Sequence, residues 1–213
     1  MHIYIIAQHL ELADQNPDRL VKLGQRLAEE EHEVTIITGS SSIDLNMEKK
    51  KVGMVHKKGM PVIALNVPAD REQNWLKRYF YLLKFARLAV EQVKMLPKPG
   101  LILALAPPLT AVKPALELSE HYKVPLIVEL RELWPVDLVE RGELRGGLLV
   151  KALTGLEEKV YSGACKLIFD SEKVASAVKK QSALEQKIIF INNQLSFEQQ
   201  YETYRLAVGL NKE

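Results

Sequence analysis

The chain alternates short apolar runs with longer segments in which apolar residues recur every three or four positions. The short runs are rich in branched and aromatic side chains, which favour buried strands. They occupy residues 2–7, 33–39, 52–68 (a hairpin-like pair), 100–106, 124–130, 165–170 and 187–192. The periodic segments predict helices with one apolar face. They occupy residues 17–30, 72–96, 111–122, 146–162, 171–181 and 196–210.

This alternation of strands and helices predicts an α/β fold. We expect a Rossmann-like, doubly wound, mostly parallel sheet with helices on both faces. No repeat or linker rich in glycine and serine divides the chain. We therefore expect one domain over residues 1–193, with a C-terminal helix in 194–213 that packs on it. Ligands of such sheets bind outside the carboxyl ends of the strands.

The first helix is preceded by three residues that favour a helix start. Asn16 is expected to be the N-cap and Pro17 to occupy the first turn. Asp18 adds a negative charge that the helix dipole favours. Together they predict a helix that begins near residue 17.

Composition and charge narrow the class of protein. The 213 residues carry a net charge of +2, which gives no general attraction to nucleic acid. The lone Cys165 excludes an internal disulfide and a thiolate zinc cluster, and it suits a reducing cytoplasm. Neither a signal peptide nor an apolar run of about 18 residues is recognisable. We expect a cytoplasmic protein, either soluble or peripheral on the inner face of a membrane.

Several well-known catalytic and cofactor motifs do not occur. The loop after the first strand contains no glycine, so a dinucleotide fingerprint is not predicted there. The sequence has no P-loop and no G-x-S-x-G elbow, which argues against a P-loop nucleotide hydrolase and an α/β-hydrolase. The five histidines show no metal-ligand spacing. We expect no cofactor and no metal.

Polar and cyclic side chains follow three of the predicted strands. Because the carboxyl ends of parallel strands share one rim, these residues are expected to converge on one crevice. An indole can stack on a sugar, and arginine and glutamate can bind its hydroxyls, so the set suits a polyhydroxylated ligand. The residues are Gln8, His9, Pro107, Pro108, Thr110, Arg131, Glu132 and Trp134.

A purely structural role is open for the same residues. Arg131 and Glu132 can form a surface ion pair worth less than about 1 kcal/mol. Trp134 and Pro135 can cap the core, and His9 can be an ordinary exposed loop residue.

The order of the motifs resembles the N-terminal half of GT-B glycosyltransferases of family four. The matching stretches run from residue 1 to about 193, and "PPLT" followed about twenty residues later by "RELWP" is the most specific pair. The likeness is greatest to the subgroup that makes bacterial exopolysaccharide, capsule or O-antigen units. The stretches are "EEHEVTIITG", "LALAPPLTAVKPAL", "VELRELWPVDLVERGEL", "LEEKVYSGACKLIFDSE" and "KIIFINN".

The resemblance implies an acceptor-binding role for this part of the chain. In that family a second domain binds the nucleotide sugar, and the transfer needs no metal. Glu132 and Arg131 would then be catalytic. The cleft that binds the acceptor would be formed by Gln8, His9, Pro107, Pro108, Thr110 and Trp134.

The sequence also departs from the family pattern. The glycine-rich loop after the first strand is replaced by "LELADQNPDR", and the aspartate of "RDLWP" is Glu132. A glycine that usually precedes "HEVT" is Glu31, which costs on the order of 1 kcal/mol if the residue is left-handed. In the segment after Asn193, where the family continues into its donor domain, the donor motif E-x7-E has no counterpart.

The end of the chain resembles the closing helix that crosses back from a GT-B donor domain. Its predicted inner face carries Phe197, Tyr201, Tyr204 and Val208. The chain is then either a stand-alone acceptor domain or one whose donor domain was removed between about Asn193 and Leu195. An ordinary C-terminal helix is the alternative.

The helix predicted at 72–96 carries a broad apolar stripe with basic residues beside it. Such a helix can rest on an anionic membrane and bring the domain to a lipid-linked acceptor. Equally, a helix that covers a sheet needs an apolar stripe. The stripe contains Trp75, Arg78, Tyr79, Leu82, Leu83, Ala86, Ala89, Val90 and Val93, and the basic flank contains Lys77, Arg78, Lys84, Arg87 and Lys94.

Two functions follow from these observations. The first is the acceptor half of a glycosyltransferase in bacterial surface polysaccharide synthesis, which uses a nucleotide sugar only when a donor domain is supplied. The second is a non-catalytic module that binds a glycan, a lipid-linked sugar or a transferase subunit. A third, a sugar-nucleotide epimerase half, is disfavoured by "RELWP".

Overall fold

The computed structural model describes residues 1–12, 17–43, 47, 50–67, 75–179 and 184–209, without the side chains of 75–79, 173, 177 and 179. The strands in these ranges are β1 (His2–Ala7), β2 (Glu33–Gly39), β3 (Val52–Lys57), β4 (Met60–Leu65), β5 (Leu101–Ala106), β6 (Leu126–Leu130), β7 (Lys166–Phe169) and β8 (Ile188–Phe190). The helices are α1 (Arg19–Glu29), α2 (Trp75–Val93), α3 (Val112–Tyr122), α4 (Val136–Glu140), α5 (Leu148–Gly163), α6 (Glu172–Lys179) and α7 (Phe197–Val208).

The strands described form a single eight-stranded sheet in the order β3-β4-β2-β1-β5-β6-β7-β8. β3 and β4 pair antiparallel as a hairpin, and every other neighbouring pair is parallel. The strand order reverses beside β1, which is the topology of a doubly wound sheet. The predicted Rossmann-like, mostly parallel α/β fold is confirmed.

Successive strand residues pack against opposite layers of helices. Tyr4 and Ile6 of β1 belong to the core beneath α2 and α3, whereas Ile3 and Ile5 belong to the core beneath α1 and α7. This follows from the two-residue period of a strand, because both faces of the sheet are covered. In β6 the same period places Glu129 on the α1 and α7 side, which is also the side of Ile127.

The start of α1 differs from the prediction. Asp18 is the N-cap, and its carboxylate accepts a hydrogen bond from the amide of Leu20 at 2.9 Å. Asn16, which was expected to be the cap, lies outside the described residues. At the other end of α1, Glu31 has a φ of 62°, so the left-handed conformation considered for this residue is present.

The segment after β6 also differs from the prediction, which had no helix there. Residues Val136–Glu140 form α4, and its first turn is closed by the Asp137 carboxylate, which accepts a hydrogen bond from the amide of Leu133 at 2.7 Å. This helix leads to Arg141 and Glu143, which line the cleft described below.

The described part of α2 packs its apolar stripe against the sheet. Leu82, Ala86, Ala89 and Val93 are all buried there. The side chains of 75–79, including Trp75, Arg78 and Tyr79, lie outside the description. Of the helices in the described part of the chain, none is both long and apolar enough to cross a bilayer.

α7 packs against the opposite face of the sheet from α2. Tyr201 and Tyr204 are buried in the core that contains α1, and Phe197 and Val208 pack at its margin. These are the four residues predicted for the inner face. The helix begins with a capping box, in which Ser196 and Gln199 each hydrogen-bond the other's backbone amide.

Candidate functional site

A cleft of about 1020 Å³ opens at the carboxyl ends of β1, β5 and β6. Parallel strands bring the loops that follow them to one rim, which is why residues distant in sequence meet here. The remaining walls come from α2, from the turn after β2 and from the segment after α4. The lining residues are Gln8, His9, Leu10, Glu11, Ser41, Ser42, Tyr81, Leu82, Leu105, Pro107, Pro108, Arg131, Glu132, Trp134, Arg141 and Glu143.

The structure brings together all but one of the residues predicted from the strand ends. Thr110 is the exception, because it is buried in the turn Leu109–Ala111 behind the two prolines. Its hydroxyl has no hydrogen-bond partner among the described residues. The predicted role of Thr110 as a cleft residue therefore has no geometric support.

Gln8 is held at the edge of the cleft by its backbone. Its carbonyl accepts hydrogen bonds from the Gly39 amide at 3.0 Å and from the Thr38 hydroxyl at 3.5 Å. A side chain at Gly39 would place its Cβ 2.7 Å from that carbonyl oxygen, so only glycine fits. The Gln8 side chain is 3% exposed, and its Oε1 has no hydrogen-bond partner among the described residues.

Arg131 is held by two carboxylates. Its Nη1 and Nη2 donate to the two oxygens of Asp18 at 2.7 and 2.8 Å, and its Nε donates to Glu129 Oε1 at 2.8 Å. Burial alone would lower the pKa of Arg131, but the hydrogen bond to Asp18 and the charge of Glu129 outweigh it and raise the pKa. Burial acts to raise the pKa of Asp18, yet the hydrogen bond and charge of Arg131 lower it. Both groups are therefore charged.

Glu129 is the centre of a buried network that continues away from the cleft. Its carboxylate is 1% exposed and accepts hydrogen bonds from Arg131, from Arg19 Nη2 at 2.8 Å and from the hydroxyl of Tyr204. Arg19 Nε in turn donates to the Tyr204 hydroxyl at 3.1 Å. Burial, with the adjacent Glu129 charge, raises the pKa of Tyr204 well above its ordinary value. The phenol is therefore a hydrogen-bond donor.

Arg19 extends the network to the end of β7 and the loop after β8. It donates a hydrogen bond to the side-chain oxygen of Asn193 and lies 3.8 Å from the Asp170 carboxylate. Asn193 also donates to Asp170 at 3.3 Å. The network thus joins α1, β6, β7 and α7 beneath the cleft.

Glu132, the other predicted catalytic residue, lines the cleft. It has its own partners, which are separate from the Glu129 network. Its Oε2 accepts hydrogen bonds from the indole of Trp134 at 3.2 Å and from Arg141 Nη2 at 3.3 Å. Arg141 also donates from Nε to Glu143 at 2.7 Å. The Arg131–Glu132 surface pair that sequence reasoning left open is thus replaced by separate partners for each residue.

Trp134 belongs to the core more than to the open cleft. It is 2% exposed and packs in the core between the sheet and its α2, α3 and α5 layer. An indole that is buried to this extent does not present its face to a sugar. The stacking predicted for Trp134 therefore stays a prediction that its burial does not favour, and the contacts described for it are with the wall of the cleft and with Glu132.

Sequence reasoning did not select Asp18, Glu129 or Tyr204 as site residues. Glu129 carried a readable signal, because it is a carboxylate inside the apolar run "LIVEL" and a buried charge requires partners. Asp18 was interpreted through the helix dipole alone, and Tyr204 through its apolar face alone. No sequence pattern showed that these residues meet.

Comparisons with known proteins bear on this geometry. The family described as "Glycosyl transferase 4-like domain" matches residues 18–194. The chain belongs to this family. The match covers the cleft loops after β5 and β6, the strand β6 itself and Asn193 but begins after the loop that follows β1, and it confirms the resemblance to glycosyltransferases. Among curated proteins no sequence match is found.

Solved structures of glycosyltransferases have the same fold. Sucrose-phosphate synthase from Thermosynechococcus elongatus matches with a TM-score of 0.63 at 15% identity over 90% of this chain and 48% of its own. A form of that synthase designated 27_220_406_426 gives 0.62 at 14% identity over 99% of both chains. The catalytic domain of starch synthase IV from Arabidopsis thaliana, bound to ADP and acarbose, gives 0.59 at 14% identity over 90% and 51%. The chain thus spans about half the length of two of these structures, and the Rossmann-like α/β fold that it shares with these GT-B glycosyltransferases is shown.

Proposed function

We propose that this domain is the acceptor-binding half of a glycosyltransferase that moves a sugar from a nucleotide-sugar donor to a glycan. The observation that carries the proposal is the cleft at the carboxyl ends of β1, β5 and β6 in a chain of the glycosyl transferase 4-like family. Its rim combines the two prolines of "PPLT" with the carboxylate of Glu132. Loops in this position bind ligands in doubly wound sheets.

The proposed roles of the charged residues follow from their partners. Glu132 is placed to accept a hydrogen bond from an acceptor hydroxyl, and Arg141 and Trp134 hold its other side. Arg131 is proposed to position the rim by anchoring it to Asp18. A catalytic role for Arg131, as predicted from the sequence, needs one edge of the guanidinium to be open to substrate. Asp18 and Glu129 occupy the two edges.

We also propose that α7 is the closing helix of a GT-B enzyme and that 1–193 is the acceptor lobe. We interpret the designation 27_220_406_426 as two separate segments of the synthase. That form matches over 99% of both chains. The burial of Tyr201 and Tyr204 against the α1 face agrees with such a helix.

The finer assignment rests on the resemblance alone. We propose a lipid-linked acceptor, a role in bacterial surface polysaccharide synthesis and peripheral attachment to the inner membrane face. The exposed side of α2 offers Lys84 and Arg87 for that attachment, although Arg87 lies 3.4 Å from Glu91.

A titration with nucleotide sugars and candidate acceptors tests the proposal. Isothermal titration of the 213-residue chain with UDP- and GDP-sugars is expected to show no measurable donor binding. Oligosaccharide acceptors are expected to bind and to shift amide resonances of residues 8–11 and 131–134. Micromolar donor binding would contradict the assignment, as would an acceptor that binds elsewhere.

The alternative function is a glycan-binding module without catalysis. It is favoured by the engagement of Glu132 and Arg131 with protein partners. A turnover assay separates the two functions. If the chain is combined with a donor domain, and the complex binds both substrates but transfers no sugar, the result would favour the binding module.

A further inference from the structure

The charges around the cleft are arranged in a way that bears on which acceptor it takes. The described lining residues include two guanidinium groups, Arg131 and Arg141. They also include three carboxylates, Glu11, Glu132 and Glu143. Two further carboxylates, Asp18 and Glu129, contact Arg131 from behind.

Arg131 has no edge left for an anionic ligand. A guanidinium binds an oxyanion through a pair of N–H groups. The end-on pair belongs to Nη1 and Nη2, and the side-on pair belongs to Nε and Nη2. The end-on pair is used by Asp18, with contacts of 2.7 and 2.8 Å. The side-on pair is used by Glu129, with Nε and Nη2 each 2.8 Å from Oε1.

Arg141 is likewise outnumbered by carboxylates. Its Nε lies 2.7 Å from Glu143 and its Nη2 lies 3.3 Å from Glu132. Among the described contacts of this rim, one positive charge therefore lies between two negative ones. A phosphate that approached Arg141 from its remaining Nη1 side would lie close to both carboxylates and be repelled by them.

Gln8 supplies an independent observation. It lines the cleft, and its side-chain oxygen is buried without a hydrogen-bond partner among the described residues. A buried carbonyl oxygen is satisfied by a hydroxyl or amine donor, and not by an unprotonated anion.

We propose that this cleft selects an uncharged or amine-bearing polyol and rejects phosphorylated or carboxylated sugars. The proposal rests on the acceptor-binding function above and names the class of acceptor. Specificity arises from the repulsive carboxylates as much as from attraction. The charged linkage of a lipid-linked acceptor would then lie outside this cleft.

The charge of the cleft can be measured without knowing the acceptor. Paramagnetic relaxation of backbone amides by a cationic and an anionic nitroxide of equal size reports the local potential. We expect the cationic probe to relax amides of 8–11 and 131–134 at least about twofold more strongly in the ¹⁵N-labelled chain. An equal ratio, or one that favours the anion, overturns the proposal.

A double variant links that result to particular residues. Glu132→Gln with Glu143→Gln leaves Arg141 without these two charges and is expected to bring the ratio to one or below. Glu91→Gln with Glu117→Gln is the matched control, because both carboxylates are on α2 and α3, where they contact Arg87 and Lys94. A cleft ratio that is unchanged in the Glu132 and Glu143 variant would also overturn the proposal.

An array of sugars in neutral, amino, phosphorylated and uronic forms tests the selectivity itself. We expect a neutral or amino form to bind and the phosphorylated form of the same sugar to bind at least about tenfold more weakly. Binding confined to anionic forms overturns the proposal. If no sugar binds while the nitroxide ratio favours the cation, the charge assignment stands and the acceptor-binding function is contradicted.

Discussion

Glu129 is the buried carboxylate that contacts both Arg19 and Arg131 of the network. One carboxylate that is 1% exposed contacts Arg19, Arg131 and Tyr204. A buried charge in a favourable geometry stabilises little compared with an apolar core, but the loss of one partner leaves the others uncompensated.

Replacing Glu129 by glutamine is therefore expected to be severe. The variant keeps the shape but leaves Arg19 and Arg131 without their shared counter-charge, so the free energy of unfolding should fall by about 3–5 kcal/mol. Urea denaturation followed by circular dichroism measures the loss. Glu91→Gln, in an exposed pair with Arg87, is the control and should change stability by less than about 1 kcal/mol. Equal effects of the two substitutions would contradict the proposed importance of the buried network.

Asp18 has two functions that one substitution can separate. In the variant Asp18→Asn the new side chain would still cap α1, because asparagine is as good an N-cap as aspartate. It would lose the ion pair with Arg131. The substitution thus removes the charge and keeps the cap.

The Asp18 charge predicts a stability that depends on pH. The pKa of Asp18 is lower in the folded chain than in the unfolded chain, where it is about 4. The ion pair with Arg131 therefore stabilises the fold fully above about pH 4. This stabilisation is lost as the pH falls through the pKa of the folded chain. The difference in unfolding free energy between wild type and Asp18→Asn should be constant from pH 7 to 5 and shrink below about pH 4. Denaturation series from pH 7 to 3 measure it, and a difference that grows on acidification contradicts it.

At the scale of elements, α7 is attached to the sheet by both packing and one hydroxyl. Tyr201 and Tyr204 are equally buried on its inner face. Of these two, only the Tyr204 hydroxyl makes a hydrogen bond of good geometry to a buried carboxylate. The Tyr201 hydroxyl lies near Glu30, whose charge helps burial to raise the Tyr201 pKa, without a described hydrogen bond of good geometry. This contrast gives a matched pair of substitutions.

Tyr204→Phe is expected to loosen α7, whereas Tyr201→Phe should not. The first removes one of the three donors to the buried Glu129 carboxylate, which costs about 1–3 kcal/mol. Amide hydrogen exchange across 197–208 should accelerate in Tyr204→Phe and stay near wild type in Tyr201→Phe. If both variants exchange alike, packing alone holds the helix.

The strands were predictable because most are short, largely apolar runs between polar segments: "LILALA" is apolar throughout, and "LIVEL" is interrupted only by Glu129. The inner face of α7 was predictable because its aromatic residues recur at helical spacing. α4 was missed because its five residues are too short to show a helical period. Asn16 was preferred to Asp18 as the N-cap because Pro17 fits the first helical position. The ion pair between Asp18 and Arg131 could not be predicted, because the two residues are 113 positions apart in the sequence.

At the scale of the whole molecule, the cleft could be located but its contacts could not be predicted. Parallel topology places the loops after β1, β5 and β6 on one rim, so the lining by Gln8, Pro107 and Glu132 follows from strand order. Whether a side chain at such a rim faces the ligand or contacts other protein groups depends on residues of other helices and strands. Arg131 and Trp134 were both expected to face ligand, and the structure assigns them to carboxylates and to the core.

The proposed peripheral attachment would also involve the whole molecule. If the exposed basic side of α2 contacts an anionic surface, each charge contributes about 1 kcal/mol. Flotation with vesicles that contain anionic lipid should recover the chain, and Lys84→Glu with Arg87→Glu should reduce recovery by about tenfold or more. The same charge reversals at Lys151 and Lys159 on α5 are the control. Flotation that is indifferent to anionic lipid would contradict attachment.

The buried network also sets an order of assembly along the chain. Arg19 and Asp18 come from the start of the chain, Glu129 from the middle of the sequence and Tyr204 from the last described helix. During synthesis, Glu129 emerges from the ribosome some 75 residues before Tyr204. Until α7 is made, the carboxylate lacks its Tyr204 donor, and the part of this sheet face that packs against Tyr201 and Tyr204 is uncovered. Nascent chains arrested before residue 197 are therefore expected to be cleaved by protease within α1 and β6, and chains released after residue 209 to resist cleavage there.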